Sequence, residues 1–167
     1  AEIAEQMLTD SPLDVIMGAG HPDAAPLLTK PAARSQYVGG DEVWADLTDE
    51  DGLNGFFFIT EKSAFEHLAE GLPSICSDTL ALKVAGVPFA YKTINESSDS
   101  MEPPANVPTL EVMSRGALNV LNHDPDGFFV MIEGGAVDWA NHANDFPTML
   151  REMVEFNMAV EAVVDWV

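Results

Sequence analysis

Between positions 127 and 145 the chain reads GFFVMIEGGAVDWANHAND, and no other stretch limits the fold as tightly. Residues 128–132 form a five-residue apolar run, too short for a buried helix and closed by Gly134 and Gly135. Such a run predicts a strand covered on both faces, as in parallel sheets. Past the glycines, Asp138 and His142 stand four apart, a spacing that puts both side chains on one face if the chain turns helical there. With Glu133 at the end of the strand, three side chains able to bind a metal fall within ten residues. They sit at the carboxyl end of a buried strand, where open α/β sheets carry their sites.

The rest of the chain repeats the theme. Ile3, Met7 and Leu8 give an opening helix its apolar stripe, which Ser11 and Pro12 end. Residues 14–17 then read as a short strand followed by the turn Gly18, Ala19, Gly20. That turn lacks the length and the lysine of a phosphate loop, so a plain strand-to-loop turn is the expectation. Between 21 and 54, prolines and the pair Gly39 and Gly40 predict mostly loop, with one short helix at 41–47. Residues 56–59 predict a second buried strand, with Thr60 capping a helix that carries Phe65 and Leu68 and ends at Gly71. A third strand is expected at 80–84 and a surface loop over 88–107. Pro108 suits the first turn of a helix with Leu110, Met113, Ala117, Val120 and Leu121 at helical spacing. A last helix begins at Asp145 and Pro147, and Met149, Met153, Phe156, Val160, Val163 and Val167 predict its core face. Alternating helices and strands point to a single α/β domain over 1–167: three layers, with a mostly parallel sheet between helices.

Charge narrows the partners. The 167 residues carry 28 acidic and 7 basic side chains, a net charge of −21, which excludes nucleic acid or an anionic membrane surface as a partner through bulk electrostatics. No apolar run approaches the ~18 residues of a membrane-spanning helix. Cys76, alone in the chain, reads as a small apolar residue. The chain opens and closes inside helical patterns, which suggests that both ends are cut.

Taken on spacing alone, Asp138 and His142 are a hydrogen-bonded surface pair and Glu133 a capping acid, because carboxylate and imidazole sets are less diagnostic than thiolates. The chemical alternative is a split set, with zinc accepting the imidazole and its carboxylate partner, and magnesium preferring oxygen alone. His21, His67 and His123 read as surface or structural residues. Trp139, beside a glycine-rich turn, reads as packing or as a substrate contact.

The run FFVMIEGGAVDWANHAND resembles the metal-binding segment of the alkaline phosphatase family, where a strand ends in Val/Ile-Glu-Gly and leads to Asp-x-x-x-His. EIAEQMLTDSPLDVIMGAGHP resembles that family's helix, strand and glycine turn, and PTLEVMSRGALNVLNHDPDGFF the helix before its metal strand. The resemblance implies that Glu133 is a magnesium ligand, that Asp138 and His142 are two ligands of one zinc, and that Trp139 lies near the substrate phosphate. It implies a phosphate monoester substrate, a zinc-activated serine nucleophile, a phosphoserine intermediate, a periplasmic or secreted location and a possible homodimer. The family's nucleophile segment and phosphate-binding arginine have no counterpart here, nor do the Asp-His pair of its second zinc and its last histidine. Arg34, Arg115 and Arg151 sit in none of the matching contexts. The expectation is therefore the central portion of a phosphomonoesterase, inactive by itself. The alternative is a non-catalytic acidic domain that binds metal or a protein partner.

Overall fold

A computed structural model describes residues 2–71, 83–92 and 105–167. Three short parallel strands form one sheet: β1 (Val15–Met17), β2 (Phe57–Ile59) and β3 (Val84–Gly86), in the order β1-β3-β2. Ile16 and Phe58 both face Ala85 across the ladders, and Met17 and Ile59 face Gly86. The helices are α1 (Glu2–Thr9), α2 (Pro31–Arg34), α3 (Asp41–Thr48), α4 (Lys62–Ala69), α5 (Leu110–Leu121), α6 (Ala136–His142) and α7 (Phe146–Trp166).

The two-residue period of a strand sorts its side chains into two layers. Ile16, Phe58 and Ala85 pack on one face with Leu8 of α1 and with Val43 and Leu47 of α3. Val15, Met17, Ile59 and Val84 pack on the other with Phe65 of α4 and with Met113 and Val120 of α5. This is the expected three-layer α/β arrangement. Gly86 is where it is tightest: a Cβ there would stand 2.6 Å from a ring carbon of Phe65, so only glycine lets α4 approach the central strand this closely. Outside these layers α7 packs on α5, and α6 on α7. Asn119 of α5 ties the helices together. Its amide nitrogen donates to the carbonyls of Leu68 and Ala69 at 2.8 and 3.0 Å, closing the end of α4, and its oxygen accepts from the Trp166 indole at 2.9 Å.

Several expectations are corrected. Residues 128–132 form no ladder among the described residues, and Phe129 and Met131 are 90% and 79% exposed. Apolar content sets a preference for burial, but a strand exists only where a neighbouring backbone completes its hydrogen bonds. The third strand lies at Val84–Gly86 rather than 80–84, most of which falls outside the described residues. β2 is covered on both faces, by the α1–α3 layer at Phe58 and by the α4–α5 layer at Ile59, but it stands at the edge of the sheet among the described residues, where Phe57 is 36% exposed. The residue before α4 is Glu61, without a side-chain cap, instead of Thr60. Pro108 stands before the cap Thr109, whose hydroxyl accepts from the Val112 N–H. Short helical turns occupy Pro22–Ala24 and Gln36–Val38, and α2 precedes the second of them, where loop was expected. In α7 the buried residues are Glu152, Glu155, Ala159 and Ala162, while Met153 and Val160 are 37% and 47% exposed. Helix packing selected the stripe with small residues, which lets the axes approach closely, over the bulkier apolar one. Cys76 and the middle of the 88–107 segment lie outside the described residues.

Candidate metal centre and the adjoining cavity

After the turn at Gly127, residues 128–134 carry no regular secondary structure and lead to Gly134, whose carbonyl accepts the N–H of Val137 as α6 begins. A Cβ on Gly134 would lie 2.7 Å from the Phe156 ring, so the chain can press against α7 here only because the residue is glycine. Gly135 precedes α6, and the Glu133 carboxylate lies back over it, 3.3 Å from where a Cβ would stand. One turn of α6 then brings the expected pair together: His142 Nε2 stands 3.5 Å from Asp138 Oδ2. Both side chains are mostly in solvent, at 81% and 71% exposure. The helix stops at Asn144, in a left-handed conformation (φ 53°), and Asp145 caps α7 by accepting the Thr148 N–H at 3.2 Å. That hydrogen bonding holds the Asp145 carboxyl below the ordinary carboxylate value.

Glu133 and Trp139 face a different space. They line a cavity of about 490 Å³ whose other walls come from β1, from Met113, Ser114 and Ala117 of α5, from Lys92, and from Glu152 and Glu155 of α7. Trp139 is half exposed at its mouth. The four expected site residues thus divide into an outward pair, Asp138 and His142, and a cavity pair, Glu133 and Trp139. Among the described residues no three His, Cys, Asp or Glu side chains converge into a metal-holding group. The outward pair suits zinc in chemistry, one imidazole with one carboxylate, yet supplies two of the four donors a tetrahedral site takes.

The carboxylates of α7 were missed. Glu152 and Glu155 are 6% and 9% exposed, and Oε2 of Glu155 has no hydrogen-bond partner among the described residues. Burial pushes the Glu155 carboxyl up, with smaller contributions from Glu152 and Glu111, against the pull of Arg151. The 3-4-3 spacing of Glu152, Glu155, Ala159 and Ala162 was the legible signal, a helical stripe of small residues that carries two acids. His21 and His123 make contacts within the fold, while His67 lies exposed on α4. His21 is buried against Trp44 and Phe89, its Nδ1 accepts the Asp23 N–H at 3.2 Å, and burial lowers its basicity. His123 ends α5 with its ring against the Val120 carbonyl.

A model of the alkaline phosphatase family matches residues 1–167. The chain belongs to the alkaline phosphatase family. The repressible alkaline phosphatase of Saccharomyces cerevisiae is 30% identical over 98% of this chain and 29% of its own length. Alkaline phosphatase 4 of Drosophila melanogaster is 33% identical over 98% of this chain and 28% of its own. Alkaline phosphatase 3 of Bacillus subtilis is 43% identical over a shorter stretch, 36% of this chain and 13% of its own. The chain therefore spans less than a third of the length of these family members. Among solved structures, the cold-active alkaline phosphatase from the psychrophile Shewanella sp. superposes with a TM-score of 0.62 at 24% identity, covering 99% of this chain and 32% of that one. That likeness establishes a partial alkaline-phosphatase-like fold.

Proposed function

We propose that this chain is the central metal-binding portion of a periplasmic or secreted phosphate monoester hydrolase and that it does not hydrolyse phosphate esters by itself. The observation that carries the reading is the Asp138–His142 pair, one helical turn apart and 3.5 Å from side chain to side chain, in the segment that resembles the family's metal motif. On this reading Asp138 and His142 would hold zinc and Glu133 would hold magnesium. Bound metal there would supply Lewis-acid stabilisation of phosphate oxygens and a lowered pKa for coordinated water. The chain's own contribution is positional. The glycine pair lets the 128–134 segment pass Phe156 and turn into α6, which sets the spacing of Glu133 from the outward pair. Trp139, at the cavity mouth, would contact the substrate side. Inactivity is expected because the nucleophile acts as part of a unit, and removing it costs most of the catalysis.

The test is calorimetric titration of zinc into the metal-stripped chain, beside a variant with Asp138→Ala and His142→Ala, with aryl phosphate hydrolysis followed in the same samples. One zinc bound by the chain and none by the variant, without hydrolysis, is expected. Equal binding by both would remove the metal reading. Turnover that is zinc-dependent and lost in Asp138→Ala would overturn the inactivity.

A further inference from the structure

The connection from α3 to β2 ends in a tight turn built on Asn54 and Gly55. Both residues have positive φ, 52° and 77°, and across them the Phe56 N–H reaches the Leu53 carbonyl at 2.9 Å. This is a type I′ turn, whose backbone favours Asn followed by Gly. Both residues are exposed. The Gly55 N–H donates no hydrogen bond among the described residues, and no side chain stands beside it. Asn144 has the same left-handed conformation, φ 53°, but is followed by Asp145, whose N–H is committed to the Ala140 carbonyl at 2.9 Å. The Asn54 amide also has a structural task. Its Nδ2 donates to the carbonyls of Leu8 and Thr9, at 3.3 and 3.4 Å, where α1 ends. The last carbonyls of a helix lack partners within it and carry the negative end of its dipole. Leu8 and Phe56 share one core cluster, so the tie and the turn hold the same contact.

We propose that Asn54 is a site of spontaneous modification, where deamidation through Gly55 unlatches α1 from the sheet. The Gly55 nitrogen attacks Cγ of Asn54, an N–Cγ bond forms, and the Cγ–Nδ2 bond breaks as ammonia leaves with the former amide proton. Water then opens the five-membered imide, its hydroxyl bonding to the attacked carbonyl carbon and its proton returning to the nitrogen. Attack at Cγ gives aspartate, and attack at the main-chain carbonyl gives isoaspartate. Aspartate puts a carboxylate oxygen where a donor stood, facing two carbonyls that can only accept, at the negative end of α1. Isoaspartate lengthens the main chain by one carbon and breaks the turn that seats Phe56. Neither Asn54 nor Gly55 lines the cavity beside Glu133 and Trp139.

The test holds the full chain in mildly alkaline buffer at body temperature and maps its peptides by mass spectrometry over time. Asn54 is expected to gain one mass unit, as both aspartate and isoaspartate, at least tenfold faster than Asn144. Its rate is expected to stay within about tenfold of that in a free peptide of residues 51–58. Gly55→Ala, which crowds the attacking nitrogen, is expected to slow the reaction at least tenfold. Asn54→Asp, which is the aspartate product made directly, is expected to speed amide exchange at Leu8, Thr9 and Asp10 at least tenfold while exchange in α5 stays unchanged. Asn54→Ala, which removes the donor without adding charge, should have a smaller effect. Stronger protection of Asn54 than the peptide comparison allows, earlier conversion of Asn144, or a Gly55→Ala chain that reacts as fast as the parent would overturn the site. Exchange in α1 that Asn54→Asp leaves unchanged, or that rises equally in α5, would overturn the unlatching.

Discussion

Gly86 offers the sharpest test of how the layers fit. Adding a Cβ there by Gly86→Ala places a carbon 2.6 Å from Phe65 Cε1, 3.0 Å from Cζ and 3.1 Å from Met17 Cγ. Carbon atoms pack best at about 3.5–4.0 Å, so the ring must retreat by roughly 1 Å while the flexible methionine yields cheaply. Phe65 is fully buried, and its retreat means either a ring turned off its rotamer or α4 lifted from the sheet. Overpacking of this kind costs about 1–3 kcal/mol. Alanine recovers about 0.4–1 kcal/mol by restricting the unfolded chain, which leaves a net loss near 1–2 kcal/mol. The assay is urea unfolding followed by circular dichroism, with the midpoint expected to fall at constant slope. A double-mutant cycle with Phe65→Leu isolates the cause, because leucine lacks both offending ring carbons. The two changes should couple favourably by about 0.5–3 kcal/mol, so that the double variant is more stable than the sum of the singles predicts. A neutral or stabilising Gly86→Ala, or strictly additive losses, would refute the argument that Phe65 and Gly86 set the spacing between α4 and the sheet.

Two further outcomes follow from the helices around the cavity. Burial raises the Glu155 carboxyl above its ordinary value of 4.5, so the folded chain binds the proton more tightly than the unfolded one. Stability contributed at this position is then present below pH 4.5 and lost as pH rises through the raised value, with Glu152, Glu111 and Arg151 setting the local field. Glu155→Gln should therefore gain on the parent as pH climbs above 4.5 in parallel melts, and a gap that narrows with rising pH would contradict the assignment. Asn119→Ala removes three hydrogen bonds that join α4, α5 and α7, and should cost about 1–3 kcal/mol in thermal unfolding, with a shift in Trp166 fluorescence. An unchanged melt would mean that these contacts carry nothing.

What could be read from the sequence was local, and what could not was pairing. The helical stripe of α5, the cap at Asp145 and the turn that makes α6 follow from residue spacing and cap chemistry, and they stand where expected. Asp138 and His142 were legible for the same reason, since four residues is one helical turn. Residues 128–132 were not, because their partner is a matter of tertiary structure and apolarity cannot name it. α7 failed differently. It is apolar on several sides, so period alone could not choose among them, and the choice fell to the stripe whose alanines let α5 come close. Choosing that stripe carried Glu152 and Glu155 inside and turned Met153, Val154 and Met158 out.

That outward turn has a consequence in solution. Phe146, Leu150, Val154 and Val164 along α7 are 47–70% exposed, and Phe129 and Met131 add apolar surface nearby in sequence. Surface of this kind favours association, while a net charge of −21 opposes it between like chains. The two effects differ in range. The Debye length shrinks from about 8 Å at physiological ionic strength to about 3 Å at 1 M salt, whereas apolar contact is not screened. Sedimentation should therefore find a monomer at low salt and progressive self-association as sodium chloride rises to 1 M. Val154→Lys and Leu150→Glu should each suppress that association, although they change the charge in opposite directions, because both interrupt the same apolar face. If only the glutamate variant did so, charge rather than the face would govern association. If salt left the monomer untouched, the exposed stripe of α7 would be too dispersed to act as one surface.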